Sequence, residues 1–403
     1  MGAPETIPAT GRVVVVGASL AGLRCAEAVR KTGFGGEVVV VGSEPHMPYN
    51  RPPLSKDRLG EPVSPEWLRP NRAAVGISWR LGETVVASDL NARTLRLASG
   101  EVVRWSGLVA ATGLRPRRLD LPGPATGRHV VRSLDDANAL RSASASARSL
   151  VIVGAGFIGC ELAALAASSR ILTHVVAPEA VPIERPLGML IGSQVRRRLE
   201  SLGVHFHLGT VPVEYRGDDQ VRAVLLADST ELVADITVEA VGCTPNTEWL
   251  SGNGLDLSDG VLCDSNMRVE GRPDVVACGD VARFPNLLFD AAPRRVEHWM
   301  TAVDTARRAG LVLAGHLCGT GGPEDTFAPV PSFWSHQDSI RIQSFGSPGL
   351  GADDVRVLEG DLDGEVAVGY HRDGELVGVV LLGLAGRYMH YRREIENIGA
   401  RSA

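Results

Sequence analysis

Lysine is almost absent from this chain: of 41 basic residues only Lys31 and Lys56 are lysines, and the rest are arginines. Cysteine is also scarce. Cys25, Cys160, Cys243, Cys263, Cys278 and Cys318 form no C-x-x-C pair and no metal-ligand spacing with a histidine, so they read as reduced thiols, and no metal site is expected. Long apolar runs are missing too. The longest, residues 150–167, is rich in Gly and Ala and interrupted by Glu161, short of the roughly 20 residues that span a bilayer, so it reads as buried strand, turn and helix. The first eleven residues lack a basic start followed by an apolar stretch, so no secretory signal is expected and a cytoplasmic location follows. There is no basic excess either. A formal net charge of −6 argues against nucleic acid or an anionic membrane as the main partner.

What is present is the composition of a folded, multi-domain protein. A length of 403 residues exceeds what one hydrophobic core usually spans, so two or three domains are expected. The 46 glycines call for many tight turns and close backbone approaches.

One pattern occurs twice: a β-branched run, a glycine-rich turn, then an Ala- and Leu-rich helix. The first copy is Val13–Val16, then Gly17-Ala18-Ser19-Leu20-Ala21-Gly22 and a helix to about Thr32; the second is Leu150–Val153, then Gly154-Ala155-Gly156-Phe157-Ile158-Gly159 and a helix to about Ser168. Such a turn brings backbone N–H groups and the positive end of the helix dipole to a pyrophosphate, and only glycine permits the approach. Two copies predict two bound dinucleotides. The second is a full G-x-G-x-x-G, whereas the first has Ser19 at the middle position. An acidic residue some 20 positions on should accept the ribose hydroxyls. Glu44 fits for the first copy; in the second the residue after the strand is Ala177, with Pro178 and Glu179 following, so the usual carboxylate is absent or displaced. A helix is predicted over 296–317, a Gly- and Pro-rich linker over 319–331, strands at 366–370 and 376–382, and an Arg-rich closing helix.

Six further segments carry a family resemblance: Pro48-Tyr49-Asn50-Arg51-Pro52-Pro53-Leu54-Ser55-Lys56, Ala111-Thr112-Gly113, Gly242-Cys243-Thr244-Pro245-Asn246, Ala277-Cys278-Gly279-Asp280-Val281-Ala282, Glu297-His298-Trp299 and Phe333-Trp334-Ser335-His336-Gln337. With the two glycine turns, they make nearly the whole chain similar to the FAD-dependent ferredoxin reductases of oxygenase systems, within the pyridine nucleotide-disulfide oxidoreductase superfamily. The resemblance implies an α/β fold with two Rossmann-like, glutathione-reductase-like dinucleotide-binding domains and a small α+β C-terminal domain. The expected division is residues 1–115 and 245–322 for FAD, 116–244 for NAD(P)H and 323–403 for the C-terminal domain.

By the same resemblance Gly17, Ser19, Ala21, Gly22, Glu44, Arg51, Lys56, Ala111, Thr112, Gly113, Asp280, Val281 and Trp299 hold FAD. Gly154, Gly156, Phe157, Ile158, Gly159, Glu161 and Gly242 hold NADH or NADPH, with Glu179 the candidate for the displaced ribose carboxylate. Lys56 is implied to lie by flavin N5 paired with Glu161, a cation for the reduced ring whose burial the carboxylate offsets. Trp299 and Trp334 are implied near the flavin. His336 departs from the family, standing where an aspartate is usual. The expected activity is hydride transfer from NAD(P)H to FAD, then single-electron transfer to a [2Fe–2S] ferredoxin that feeds a cytochrome P450 or Rieske-type oxygenase. Two other readings stand beside it: a flavin-bearing interaction protein with impaired NAD(P)H turnover, and a reductase of quinones or dioxygen. Thiol redox is disfavoured, because the first glycine-turn helix holds only Cys25 and residues 44–56 hold no thiol. An acidic ferredoxin needs a local basic patch, for which Arg294, Arg295, Arg307 and Arg308 are candidates.

Overall fold

β-branched side chains pack a pleated surface at little conformational cost, and strands covered on both faces read as unbroken apolar runs. Val13, Val14 and Val15, Val38 and Val40, and Val151 and Ile152 are all wholly buried in such strands. The computed structural model describes residues 11–56, 59–71 and 75–397. Its α-helices are α1 (Leu20–Lys31), α2 (Leu134–Ser144), α3 (Phe157–Ser168), α4 (Glu184–Ser201), α5 (Trp299–Cys318) and α6 (Tyr388–Glu396). Among the described residues, no helix is long and apolar enough to cross a membrane.

The chain forms two units. One runs to Asn50 and resumes over Glu66–Arg115 and Pro245–Ser332; the other comprises Arg51–Pro65, Pro116–Thr244 and the chain from Phe333 on. In the first, a sheet orders its strands Arg268–Val269, Arg272–Ala277, Gly107–Ala110, Arg12–Val16, Glu37–Gly42 and Ile77–Leu81. All but the outermost Arg268–Val269 pairing are parallel. Helices α1 and α5 meet at Gly310, where a Cβ would come within 2.7 Å of both Ala28 Cβ and the Cys25 carbonyl. Helix α5 starts three residues later than the predicted 296 because His298 is extended and caps it. From Gly319 to Pro331 there is neither helix nor strand.

The second unit holds a parallel sheet ordered Val204–Leu208, Leu172–Ala177, Ser149–Val153, Ile236–Glu239, Arg128–His129. A capping box fixes the start of α2, Ser133 accepting from the Asp136 amide while Asp136 accepts from the Ser133 amide. A second sheet, ordered Ser332–Gln337, Ile340–Gly346, Glu375–Leu382, Val366–Arg372, Val355–Gly360, is followed by α6. The Tyr370 hydroxyl of this sheet donates to the Leu187 carbonyl of α4 at 2.7 Å.

Sequence reading did not anticipate a buried carboxylate at Glu239. It ends a strand of the parallel sheet and accepts from the Tyr215 hydroxyl at 2.8 Å and from Arg128 at 2.7 Å, while Arg128 lies 4.4 Å over the Tyr215 ring. Burial, then the Glu239 charge, pushes the Tyr215 phenol up, which keeps it a proton donor. Breaking a buried pair by removing one partner strands the other charge. Glu239→Ala is therefore expected to cost about 3–5 kcal/mol of stability, and Arg128→Met with Glu239→Leu to recover most of it. Denaturant titration of the three proteins checks this; a single variant as stable as the parent would refute it.

Candidate dinucleotide and redox sites

In the first unit the glycine turn leaves the strand Arg12–Val16 and opens α1. Gly17 sits at φ +121, and a Cβ there would lie 2.1 Å from the Ala111 carbonyl; at Gly22 it would lie 1.8 Å from the Gly17 carbonyl. Both glycines are therefore required by packing, and they seat Ala21, Gly22 and the start of α1 against the turn. The first turn of α1 holds no acidic residue, so its N–H groups and dipole remain available to an anion. Ser19 is the extended residue that caps α1.

Three other turns converge around it. Ala111 bonds back to Val16 through its amide, and the Thr112 hydroxyl donates to the Asn246 carbonyl at 2.6 Å. Asn246 returns the contact, its amide group donating to the Thr112 carbonyl and its backbone N–H to the Gly113 carbonyl, both at 3.0 Å. At Gly279 a Cβ would meet the Ala21 methyl at 2.7 Å, which brings the Gly279–Asp280–Val281 turn against the start of α1. The Gly279 amide donates to the Thr305 hydroxyl at 3.0 Å. One turn earlier on the same face of α5, the Thr301 hydroxyl is buried without a partner among the described residues, an orphaned polar group that a bound molecule would satisfy. Glu44, past the end of the strand Glu37–Gly42, accepts from the Tyr49 hydroxyl at 2.5 Å. The Trp299 indole donates to Asn50 at 3.1 Å. Burial holds the His298 imidazole down at about 4 despite the Asp280 carboxylate, so it is neutral at physiological pH.

In the second unit the turn after Ser149–Val153 opens α3. Gly154, at φ +109, packs on the Ala240 carbonyl, and Gly159 packs on the Gly154 carbonyl. Gly156 differs: its φ is −76, and a Cβ there would meet nothing within 4 Å. Gly242 likewise faces open space, at φ +96. The Phe157 ring lies 4.8 Å from that of Phe333, and Ile158 is partly exposed. Glu179 pairs with Arg185 at 2.8 Å.

Further along α3, Glu161 is buried and saturated with donors. Lys56 Nζ lies 2.8 Å from its Oε2, which also accepts from the Ser55 hydroxyl at 2.5 Å; the Ser335 hydroxyl donates to its Oε1 at 2.6 Å. The side-chain amide of Gln337 in turn reaches the Ser335 hydroxyl at 3.4 Å. Lys56 also donates to the Pro52 carbonyl. Burial, Arg341 and Lys56 hold His336 below its usual value, against the pull of Glu161. Trp334 is 38% exposed on the strand Ser332–Gln337.

Thus Gly17, Ser19, Ala21, Gly22, Glu44, Ala111, Thr112, Gly113, Asp280, Val281 and Trp299 all lie in the first unit, and Gly154 to Gly159, Glu161, Glu179 and Gly242 in the second. Arg51, Lys56 and Trp334 also belong to the second, where Arg51 donates to the Arg132 carbonyl at 2.7 Å. Ser55, Ser335, Asn246 and Thr305 were not assigned roles from sequence. The first three sit inside the matched segments, and only folding reveals their partners. Arg308 is not a surface residue: it is 5% exposed and bonded to Asn266 and Asp325. Arg295 is 12% exposed in its side chain and held by Asp259 and Glu297, which leaves Arg294 and Arg307 as the exposed members of the suggested basic patch.

The chain belongs to the pyridine nucleotide-disulphide oxidoreductase family, whose sequence model matches residues 11–306, and it is accordingly an oxidoreductase. Within that family it is 33% identical over 401 residues to the ferredoxin reductase component of chlorobenzene dioxygenase from Cupriavidus sp. (strain PS12), covering 95% of this chain and 93% of that one. It is also 33% identical to rhodocoxin reductase from Rhodococcus erythropolis, over 88% of this chain and 82% of the relative. Among solved structures it superposes on the covalent putidaredoxin reductase–putidaredoxin complex with a TM-score of 0.87 at 28% identity, covering 96% and 93% of the two chains. The ferredoxin reductase of the CYP199A2 system from Rhodopseudomonas palustris gives 0.86 at 30% identity, over 94% and 93%.

The two kinds of glycine in the second turn separate by mutation. Gly156→Ala, filling open space with ordinary φ, should change stability by no more than about 0.5 kcal/mol yet weaken pyridine-nucleotide binding. Gly159→Ala must displace backbone and should cost about 1–3 kcal/mol of stability. Thermal unfolding and nucleotide titration of both variants check this; equal melting losses, or a Gly156→Ala protein that binds as well as the parent, would refute it.

Proposed function

We propose that the chain is an FAD-bearing reductase that oxidises NADH and passes electrons singly to a [2Fe–2S] ferredoxin, which serves a cytochrome P450 or Rieske-type oxygenase. The observation that carries this reading is the pair of glycine turns, each opening a helix at the carboxyl end of a parallel sheet. One has a carboxylate, Glu44, at the ribose position and an orphaned Thr301 hydroxyl on α5. The other has open space in front of Gly156. Relatives named as ferredoxin–NAD(+) reductase components support the choice of nucleotide and of acceptor.

When bound, FAD would supply an acceptor for a hydride and a donor of single electrons. The chain's part is to bind and orient. The α1 N-terminus would meet the FAD pyrophosphate and α3 that of the nucleotide, with Glu44 on the flavin nucleotide's ribose. In this reading Lys56 would supply a fixed positive charge for the flavin, and Glu161 and its two hydroxyl donors offset the cost of burying that ammonium. Trp299, with its indole nitrogen tied to Asn50, would wall the ring, and Trp334 is assigned to the ring by the resemblance alone. The division at residues 115, 244 and 322 into FAD, nucleotide and C-terminal domains belongs to the same reading, as does a cytoplasmic location.

Purified protein should be yellow with one FAD per chain. NADH should bleach it rapidly without air, and a [2Fe–2S] ferredoxin should then stimulate turnover more than a quinone does. A colourless chain that takes up no FAD contradicts the flavin assignment. Bound flavin that NADH leaves oxidised would favour an interaction protein, and stimulation by quinone alone would favour a quinone reductase. Lys56→Met should lower the flavin potential and slow its reduction by NADH in stopped flow; an unchanged potential and rate in the FAD-loaded variant would make Lys56 structural only.

A further inference from the structure

In a glycine-turn nucleotide site, the residue at the end of the next strand reads the adenosine ribose: a carboxylate accepts the free 2′-hydroxyl, whereas an arginine takes a 2′-phosphate. Here that strand, Leu172–Ala177, ends on a methyl group that is 1% exposed, so Ala177 reads nothing. Two residues on, Glu179 and Arg185 form an ion pair at 2.8 Å, the carboxylate 22% and the guanidinium 82% exposed.

The loop that carries this pair is fixed to the glycine turn itself. The Ile183 amide donates to the Ala155 carbonyl at 2.8 Å, inside the Gly154–Gly159 turn. Ile183 holds φ +48, a left-handed conformation costly for a β-branched residue, and caps α4 from there. The Glu184 carboxylate accepts from the Ala180 amide at 2.8 Å and the Val181 amide at 3.2 Å, while Val181 and Ile183 are buried. On the other side the Glu179 carbonyl accepts from Gly209 and the Ala177 carbonyl from Thr210. The loop is anchored at both ends, and the strain at Ile183 is what folding tolerates to press it on the turn.

We infer that Glu179, held by Arg185, is the residue that grips the adenosine ribose diol, and that this pair makes the site selective for NADH over NADPH. The inference rests on the nucleotide reading given above. Arg185 has a double effect. While paired it orients the carboxylate and is neutralised by it, so it gives a 2′-phosphate little attraction, and Glu179 itself repels that dianion. Without the carboxylate the same arginine becomes a phosphate ligand.

Calorimetric titration of the FAD-loaded protein with ADP-ribose and with 2′-phospho-ADP-ribose tests this, because both carry the adenosine half and neither can reduce the flavin. The parent should prefer ADP-ribose. Glu179→Gln should weaken ADP-ribose by about ten- to hundredfold, the loss of a charge-assisted hydrogen-bond pair, and tighten the 2′-phosphate. Adding Arg185→Ala should abolish that gain. A Glu179→Gln protein that binds ADP-ribose as the parent does, or a parent that prefers the 2′-phosphate, overturns the inference alone. A parent that binds neither ligand overturns the nucleotide reading together with it.

Discussion

A single buried carboxylate gathers the second unit. Its three segments are separated in sequence, and each reaches Glu161: Ser55 and Lys56 from Arg51–Pro65, α3 itself from Pro116–Thr244, and Ser335 from the chain after Phe333. A charge so deeply buried is tolerated only when its oxygens are bonded, and three donors at 2.5–2.8 Å meet that demand. Glu161 also stands two residues past Gly159, on the helix that the second glycine turn opens. The constraint that closes the unit is therefore one short step from the second glycine turn.

The two glycine turns solve one problem with different residues. In both, the first and last glycines are demanded by backbone contact, at Gly17 and Gly22 and at Gly154 and Gly159. The middle position is where they part. Ser19 occupies it in the first turn, whereas Gly156 leaves it open in the second. In the first turn Glu44 stands where a ribose carboxylate is expected, whereas in the second Glu179, proposed above for that role, lies on a loop buttressed by Ile183 and Glu184.

Both turns, their strands and their helices were legible in sequence because the signal is local: valine runs, glycines at fixed offsets and apolar helices contiguous in the chain. The same holds for α5 and the strands Val366–Arg372 and Glu375–Leu382. The Lys56–Glu161 pair was legible only through resemblance, since 105 residues separate the partners. The serines that complete it were not legible, because a hydroxyl carries no sign of a partner 106 or 174 positions away. Arg308 shows the converse failure: an arginine on an amphipathic helix reads as solvated, and only the fold supplies the Asn266 and Asp325 that bury it. Glu239 was hidden in the same way, its partners Arg128 and Tyr215 coming from distant strands.

If Glu161 is the knot of this unit, its removal must be felt in both distant segments at once. Hydrogen–deuterium exchange of Glu161→Ala against the parent, both loaded with FAD, measures this directly. The expected result is a joint loss of amide protection at residues 54–56 and at residues 333–337, with the strand Arg12–Val16 of the other unit unchanged. Protection that persists in both segments, or is lost in only one of them, would contradict the central role assigned to this carboxylate.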